Sequence, residues 1–301
     1  LIYKDSDYHF GEVKPTLERM LDHDALKSVT HVAATASTPG FVDALHCVDE
    51  QVALIRCAGH LHKELGAILN IGGEKFSLSL FDEMGNYTGA RHNTSCAAGT
   101  GSFLDQQAGR IHLSGSARIS AMALENDNTR PDIATRCAVF AKTDLIHAQQ
   151  EGYNINQICD GLCFGLAKNI ANTLFKQKMP KGRVVFCGGV SKNEAVCRHL
   201  ESITGIDFTI DDCSLIYGAM GAALCLKDEL GTKKIASKVY PGPDAYFKDQ
   251  DKQQGYRYPE LSLSLSDYPD FSAFKTYTKD GVEVDIYDDP NPVHSKKVVT
   301  R

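Results

Sequence analysis

Two glycine pairs, each at the end of an apolar run, constrain this chain more than any other feature. The stretches "GAILNIGG" and "GRVVFCGG" cover residues 66–73 and 182–189, so the pairs are more than 100 residues apart. Each run is typical of a buried strand, and glycine lets backbone N–H groups approach a ligand closely because no Cβ intervenes. Two such turns in a chain of alternating strands and helices predict a cleft between two lobes that holds a nucleotide. Neither turn is a Walker loop, since the sequence contains no G-x4-G-K-[ST].

Predicted helices and strands alternate along the first 230 residues. Apolar spacing predicts a helix over 11–23, a buried strand over 29–35 and a helix over 48–65. Three strands follow up to residue 92, separated by the first glycine pair and by a turn at residues 84–86. Further helices are predicted over 100–109, 114–124, 137–150, 154–178, 193–203 and 214–230, with strands at 182–187 and 207–210. Strands alternating with helices predict a layered α/β fold.

Composition excludes several classes of protein. Of the 301 residues, 43% are hydrophobic and 23% are charged, which is typical of a globular chain. The formal net charge is −6 and the basic residues are scattered, so we expect no nucleic-acid partner. No apolar run approaches the roughly 20 residues of a membrane span, and the first residues carry no apolar signal core. We therefore expect a cytoplasmic protein without a membrane partner.

The chain contains ten cysteines. They are not arranged as a secreted disulfide scaffold, and no C-x2-C pair indicates a zinc ribbon or finger. Cys159 and Cys163 alternate with apolar residues on a predicted helix, so we assign them to the core.

One cysteine lies just before a predicted helix, in "HNTSCAAGTGSFLDQQAG" (residues 92–109). Cys96 could be a small buried hydrophobe beside glycines that merely allow a turn. Alternatively, the helix N-terminus could favour a thiolate at this position. Cys137 has a similar setting, because a helix is predicted over 137–150.

Four stretches together resemble the ATP-dependent activators of 2-hydroxyacyl-CoA dehydratases, a family that also holds the ATPase subunits of benzoyl-CoA reductase. The stretches are "NIGGEK", "NTSCAAGTGSFLDQQAG", "TRCAVFAKTDLIHAQQEG" and "VVFCGGVSKNEAV". The resemblance covers roughly residues 29–227, in the family's order and spacing. It implies the two-lobed fold of sugar kinases, Hsp70 and actin, with ATP between the lobes. It also implies ATP-driven one-electron transfer to a 2-hydroxyacyl-CoA dehydratase-type enzyme.

The resemblance also assigns site residues. It implies that Cys96 and Cys137 hold one [4Fe–4S] cluster together with the same two cysteines of a second unit. That unit is either a homodimer mate or a second activase-like unit of the same polypeptide. No residue is expected to act as a covalent catalyst. The residues implied to bind ATP or ADP with Mg²⁺ are Gly72, Gly73, Glu74, Gly99, Thr100, Gly101, Gly188, Gly189 and Asn193.

The chain departs from the family pattern in two places. The family's "D-x-G-S-T-x-x-K" loop, which grips the terminal phosphates, has no counterpart, and Asn70 stands where "D-I-G-G-Q-D" begins with aspartate. An amide cannot hold Mg²⁺ through water as a carboxylate does, and Glu74 is the candidate substitute. We therefore expect this chain alone to bind nucleotide weakly and to hydrolyse ATP poorly.

The sequence suggests three regions. Residues 1–95 are predicted to form a first lobe that lacks its N-terminal strands, and residues 96–231 a second lobe. Residues 232–301 form a Tyr- and Pro-rich extension, expected to pack on the lobes as short strands or extended segments. Its strings "SDYPDF" and "VEVDIY" resemble the linker that follows the first unit in long members with two activase-like units.

Two other functions remain open. The chain could be a degenerate structural or regulatory unit that dimerises without binding ATP. It could also be a small-molecule kinase, with Asp105 or Asp144 as the base, although capping or solvated roles suit these two carboxylates better. The histidines receive no catalytic role.

Overall fold

The computed structural model describes residues 1–93, 100–135, 137–176, 179–248 and 275–286. The helices are α1 (Val13–Leu21), α2 (Glu50–Leu61), α3 (Gly101–Arg110), α4 (Ser116–Leu124), α5 (Ala138–Gln150), α6 (Ile155–Leu174), α7 (Glu194–Thr204) and α8 (Tyr217–Leu230). The strands are β1 (Ala33–Thr35), β2 (His46–Val48), β3 (Leu65–Ile71), β4 (Phe76–Phe81), β5 (Tyr87–His92), β6 (Arg183–Cys187), β7 (Phe208–Thr209), β8 (Lys275–Lys279) and β9 (Val282–Ile286). Short 3-10 turns cover Asp24–Leu26, Gly189–Lys192 and Pro243–Tyr246. The predicted order of elements is found, apart from β2, which the sequence analysis missed.

A five-stranded sheet with the order β5-β4-β3-β6-β7 forms the centre of the chain. The strands β3, β4 and β5 are antiparallel neighbours, whereas β3, β6 and β7 run parallel. Leu69 pairs with Phe186, and Asn70 pairs with Cys187. Because β3 and β6 are parallel neighbours in register, their carboxyl ends meet at the same edge. The two glycine pairs, which follow these ends, are therefore brought together.

Side chains of the sheet alternate between two cores. Leu69, Ile71 and Phe186 pack in the larger core, which includes residues of α3 to α7. Ile68 and Val185 pack on the opposite face, against residues of α2 and α8. This alternation follows from the period of two along a strand, and it buries β3 and β6 on both faces.

The helix α8, which is rich in small residues, packs closely against α2. A Cβ at Gly221 would lie 1.8 Å from the carbonyl oxygen of Ala53, so only glycine permits this approach. The helix α8 also contacts β1, which pairs in parallel with β2.

The sheet crosses the lobe boundary that the sequence analysis sets at residues 95 and 96. Residues 65–92 lie before that boundary and 183–209 after it, yet they share one sheet through the pairing of β3 with β6. Strand pairing, rather than nearness in sequence, decides which segments share a layer.

The start of the predicted extension packs on the first 50 residues. The N–H of Lys238 donates to the carbonyl oxygen of Thr30 at 3.0 Å, and Phe247 forms an antiparallel bridge with Val42. Residues 1–250 form one compact unit and residues 251–301 a second one. In the second unit, the described part is the hairpin β8–β9, which turns at Asp280 and Gly281.

Candidate functional site

The two glycine turns meet at the carboxyl edge of the sheet. Gly188 has a φ of +90°, and a Cβ there would lie 2.4 Å from the carbonyl oxygen of Ile71. The N–H of Gly188 donates to the carbonyl oxygen of Ser214 at 2.8 Å. Gly188 is therefore required both by its backbone conformation and by the close approach of β3.

Gly73 and Gly189 have a different environment. A Cβ built on either residue meets no atom of the described residues within 4 Å. No described residue therefore fills the space in front of their backbone, which a ligand could approach.

Cavities of the compact unit bring most of the predicted nucleotide residues together. One cavity of about 140 Å³ is lined in part by Gly72, Gly73, Gly101, Gly189 and Asn193. A second cavity of about 390 Å³ shares Gly72 and Gly189 with it and also includes Gly188. The chain thus places residues from both glycine turns around one space, as the sequence analysis predicts.

The Gly72–Gly73 turn is hydrogen-bonded to the start of α3. The N–H groups of Gly101 and Ser102 donate to the carbonyl oxygens of Gly72 and Gly73 at 2.9 and 3.0 Å. The hydroxyl of Thr100, which is fully buried, donates to the Gly73 carbonyl oxygen at 2.7 Å. The turn and the helix start therefore form one connected piece of structure, and these two N–H groups of α3 are satisfied by protein.

Asn193 forms a wall of the smaller cavity and is itself 5% exposed. Its side-chain oxygen accepts a hydrogen bond from the Val196 N–H at 3.0 Å and thereby caps α7. Its amide nitrogen donates to the Ser116 carbonyl oxygen at 3.5 Å. The side chain thus holds α7 and the start of α4 together at the cavity.

Carboxylates lie near the other side of the glycine turn. Glu74 is exposed and lines a cavity of about 780 Å³ together with Asn70, Asp49 and Glu50. Glu50, in the first turn of α2, also lines the 390 Å³ cavity. Sequence reasoning missed Glu50, although "VDE" at the start of the predicted helix was a signal for a cap followed by a first-turn acid.

Asn70 carries no charge toward this space. Its side-chain oxygen accepts a weak hydrogen bond from the Cys187 thiol at 3.7 Å. Position 70 therefore supplies a neutral amide, which is hydrogen-bonded to Cys187 on the neighbouring strand β6.

Cys137 is the N-cap residue of α5 and is half-buried. The backbone N–H groups of Phe140 and then Val139 lower the pKa of its thiol. The side chains of Val139 and Phe140 beside it are 69% and 66% exposed. Cys137 thus lies near the surface at the start of a helix, in the setting predicted for it, whereas Cys96 and Gly99 lie outside the described residues.

The core cysteines Cys159 and Cys163 differ sharply from Cys137. Burial raises the pKa of Cys159 to about 12, and it raises the pKa of Cys163 well above the ordinary value. Both side chains belong to the large core, as predicted. A thiolate is therefore favoured at Cys137 and strongly disfavoured in the core.

The two carboxylates considered as a kinase base both accept backbone hydrogen bonds. Asp105 accepts from the Ser116 N–H at 3.1 Å, and Asp144 accepts from the Ala134 N–H at 2.7 Å. Asp105 thus binds the backbone at the start of α4, and Asp144 binds the backbone of the segment before α5, which supports structural roles for both.

A partly buried polar network lies beside the Gly188 turn and was missed by sequence reasoning. The Nε2 atom of His62 lies 2.7 Å from an oxygen of Asp211 and 2.9 Å from the hydroxyl of Tyr217, which donates to the same carboxylate. Burial opposes ionisation of Asp211, but bonds from Tyr217, His62 and the Cys213 N–H lower its pKa overall. The network anchors the turn that presents the Ser214 carbonyl oxygen to Gly188.

The described part of the chain was searched for clustered metal ligands and for membrane-spanning helices. It contains no group of three or more potential metal ligands. None of its helices combines the length and apolarity needed to cross a membrane.

Comparisons with known proteins agree with this geometry. The model of the BadF/BadG/BcrA/BcrD ATPase family matches residues 41–225. The 2-hydroxyisocaproyl-CoA dehydratase activator of Clostridioides difficile is 29% identical over 185 residues, which make up 60% of this chain and 68% of that protein. The (R)-2-hydroxyglutaryl-CoA dehydratase activating ATPase of Acidaminococcus fermentans is 29% identical over 182 residues, or 58% of this chain and 68% of that protein.

A solved structure shares the fold. The activator of the 2-hydroxyisocaproyl-CoA dehydratase from Clostridium difficile with bound ADPNP superimposes with a TM-score of 0.61 at 26% identity. The match covers 72% of this chain and 81% of that one. It confirms the predicted fold class, the α/β fold of sugar kinases, Hsp70 and actin.

Proposed function

Because this chain belongs to the BadF/BadG/BcrA/BcrD ATPase family, we propose that it is an activator component that uses ATP to drive one-electron transfer to a 2-hydroxyacyl-CoA dehydratase-type partner. The observation that carries the proposal is the bonding of the Gly72–Gly73 turn to the start of α3. This turn borders the proposed nucleotide space, and α3 begins directly after the segment that contains Cys96. A nucleotide at the turn and a cluster before α3 would therefore both act on this hydrogen-bonded pair of segments.

The residues around the cavities fit a nucleotide. The open backbone at Gly73 and Gly189 suits close approach of phosphate or ribose. Glu50 and Glu74 are the carboxylates that would hold Mg²⁺, directly or through water, in place of the missing one at Asn70. ATP or ADP would lie around the 390 Å³ cavity, which shares Gly72 and Gly189 with the 140 Å³ cavity and Asn70 with the 780 Å³ cavity.

The setting of Cys137 fits a ligand of a [4Fe–4S] cluster. Its thiol has a lowered pKa at a helix start, and a thiolate is the form that binds iron. Four thiolates complete such a cluster, so Cys96 and Cys137 would be joined by the same pair from a second unit. The cluster, when bound, supplies one-electron transfer.

The exposed side chains of Val139 and Phe140 support contact with a second unit near Cys137. That unit is a homodimer mate or a second activase-like unit of a longer polypeptide. The hairpin of the second compact unit contains "VEVDI" of the linker string, in agreement with the second possibility.

Anaerobic reconstitution with iron and sulfide tests the proposal. We expect about four irons per pair of units, and we expect Cys96→Ser and Cys137→Ser to lose them while the far-UV circular dichroism spectrum stays unchanged. Cys47→Ser, at an exposed cysteine of β2, is the matched control and should load iron like the parent. Absence of iron in the parent chain, or normal loading of both site variants, would overturn the proposal.

A second candidate, a unit that dimerises without using ATP, is favoured by one observation. Asn70 replaces the aspartate of the family pattern and is bonded to Cys187 instead of offering a charge. Titration calorimetry with ATP and Mg²⁺ separates the candidates, because only the activator requires binding.

A further inference from the structure

The residues just before α5 lie in a groove of α6 that only glycine permits. We define residues 131–135 as the approach segment. A Cβ at Gly161 would lie 2.6 Å from the carbonyl oxygen of Pro131. A Cβ at Gly165 would lie 2.6 Å from the methyl carbon of Thr135 and 2.7 Å from the carbonyl oxygen of Ile133. The approach segment therefore touches the helix backbone directly.

Burial alternates along the approach segment. Ile133 and Thr135 are 3% and 5% exposed and face α6, whereas Asp132 and Ala134 between them are exposed. The Thr135 hydroxyl donates to the carbonyl oxygen of Gly165 at 2.7 Å in a buried setting. The face toward α6 is thus held by packing and by one hydrogen bond.

The opposite face is held from α5 itself. The carboxylate of Asp144 accepts a hydrogen bond from the Ala134 N–H at 2.7 Å. Asp144 lies about two helical turns after Cys137, so this contact joins the approach segment to the helix that Cys137 begins. The Ala141 N–H, which donates to the Cys137 carbonyl oxygen at 3.0 Å, makes the first bond of that helix.

We propose that Asp144 is a positioning residue for Cys137. Its carboxylate fixes one side of the approach segment while Gly165 fixes the other, and Cys137 follows the segment by two residues. The backbone that presents the sulfur is therefore set before any partner or iron arrives. The part of this inference that concerns iron rests on the proposed function.

The variant Asp144→Asn tests the inference, because an amide keeps the shape and weakens the charge-assisted bond. We expect the amide protons of Ala134 and Ala141 to exchange with deuterium about tenfold faster than in the parent. Asp82→Asn is the matched control, since Asp82 accepts the N–H groups of Met84 and Asn86 in a hairpin turn. This control should leave the exchange of Ala134 and Ala141 unchanged.

A second variant tests the other side of the segment. Thr135→Val removes the hydroxyl at nearly constant shape, and we expect faster exchange at the same two amides. For iron-loaded protein held well below its thermal midpoint, we expect both variants to release iron to a ferrous chelator several-fold faster than the parent.

The outcomes separate this inference from the proposed function. A parent chain that takes up no iron contradicts the proposed function, and the exchange rates still decide whether Asp144 positions the segment. Parent-like exchange at Ala134 and Ala141 in Asp144→Asn would overturn the inference, as would parent-like iron release from a variant that loads iron fully.

Discussion

The hydroxyl of Thr100 donates a hydrogen bond to the carbonyl oxygen of Gly73 at 2.7 Å. Thr100 is the N-cap residue of α3, and Gly73 belongs to the turn after β3. The bond joins a predicted nucleotide turn to the helix that follows Cys96. Within the described part of the chain, it ties the start of α3 to the turn that borders the proposed nucleotide space.

We expect Thr100→Val to weaken this link without unfolding the chain. The Gly73 carbonyl oxygen keeps the bond from the Ser102 N–H, so the free energy of unfolding should fall by about 1 kcal/mol. Urea denaturation checks this value. Thr88→Val, which removes a bond to the Leu80 carbonyl oxygen at an exposed strand position, is the control and should cost less. An unchanged unfolding midpoint in Thr100→Val would contradict the assigned strength of the link.

Alanine at the two adjacent glycines of the second turn should change the unfolding free energy by very different amounts. Gly188→Ala places a Cβ 2.4 Å from the Ile71 carbonyl oxygen at a φ of +90°, and we expect a loss of about 3 kcal/mol or more in unfolding free energy. Gly189→Ala meets no atom of the described residues within 4 Å and should leave stability within about 0.5 kcal/mol of the parent.

The variants Gly188→Ala and Gly189→Ala also distinguish an effect on folding from an effect on nucleotide binding. Because the Gly189 backbone faces the cavity, Gly189→Ala should weaken nucleotide binding although the fold is intact. Thermal unfolding and titration calorimetry measured on one preparation give both numbers. Parent-like affinity in Gly189→Ala would argue against a nucleotide at this turn.

We expect the chain to bind ADP and ATP only weakly, and Asn70→Asp to strengthen binding when Mg²⁺ is present. A carboxylate at position 70 would hold the cation through water, as the family pattern implies. Calorimetry with and without Mg²⁺ provides the check, since the gain should disappear with EDTA. Micromolar affinity in the parent would show that the missing carboxylate is dispensable.

Stability should fall in acid partly through Asp211. Its pKa is lowered in the folded chain, so it stabilises the fold above its unfolded pKa of about 3.9, and this stability is lost as pH falls through the folded value. Asp211→Asn should therefore be less stable at pH 7 and lose less stability than the parent between about pH 4 and pH 2. Urea midpoints over this range test the sign. Equal slopes in both proteins would exclude Asp211 as a source of the pH dependence.

Much of the chain's local structure follows from short patterns. The helical spacing between residues 154 and 178 predicts α6, and Asn154 caps it with a full capping box. Glycine after an apolar run predicts a turn because backbone freedom is a property of single residues. Cys159 and Cys163 could be assigned to the core for the same reason, since helical periodicity alone gives their face.

Contacts between distant segments could not be predicted from short sequence patterns. The sequence by itself determined the order of helices and strands, the two glycine turns and the family motifs, because each depends on a few neighbouring residues. Only the tertiary structure decided that β3 lies beside β6 across the predicted lobe boundary, that Asn193 joins α7 to the start of α4, and that Asp144 holds Ala134. It also decided that His62 meets Asp211 and Tyr217, 149 and 155 residues away in the chain. Such contacts depend on how the packed layers bring distant segments together. A local sequence pattern carries no information on which distant residues will be neighbours.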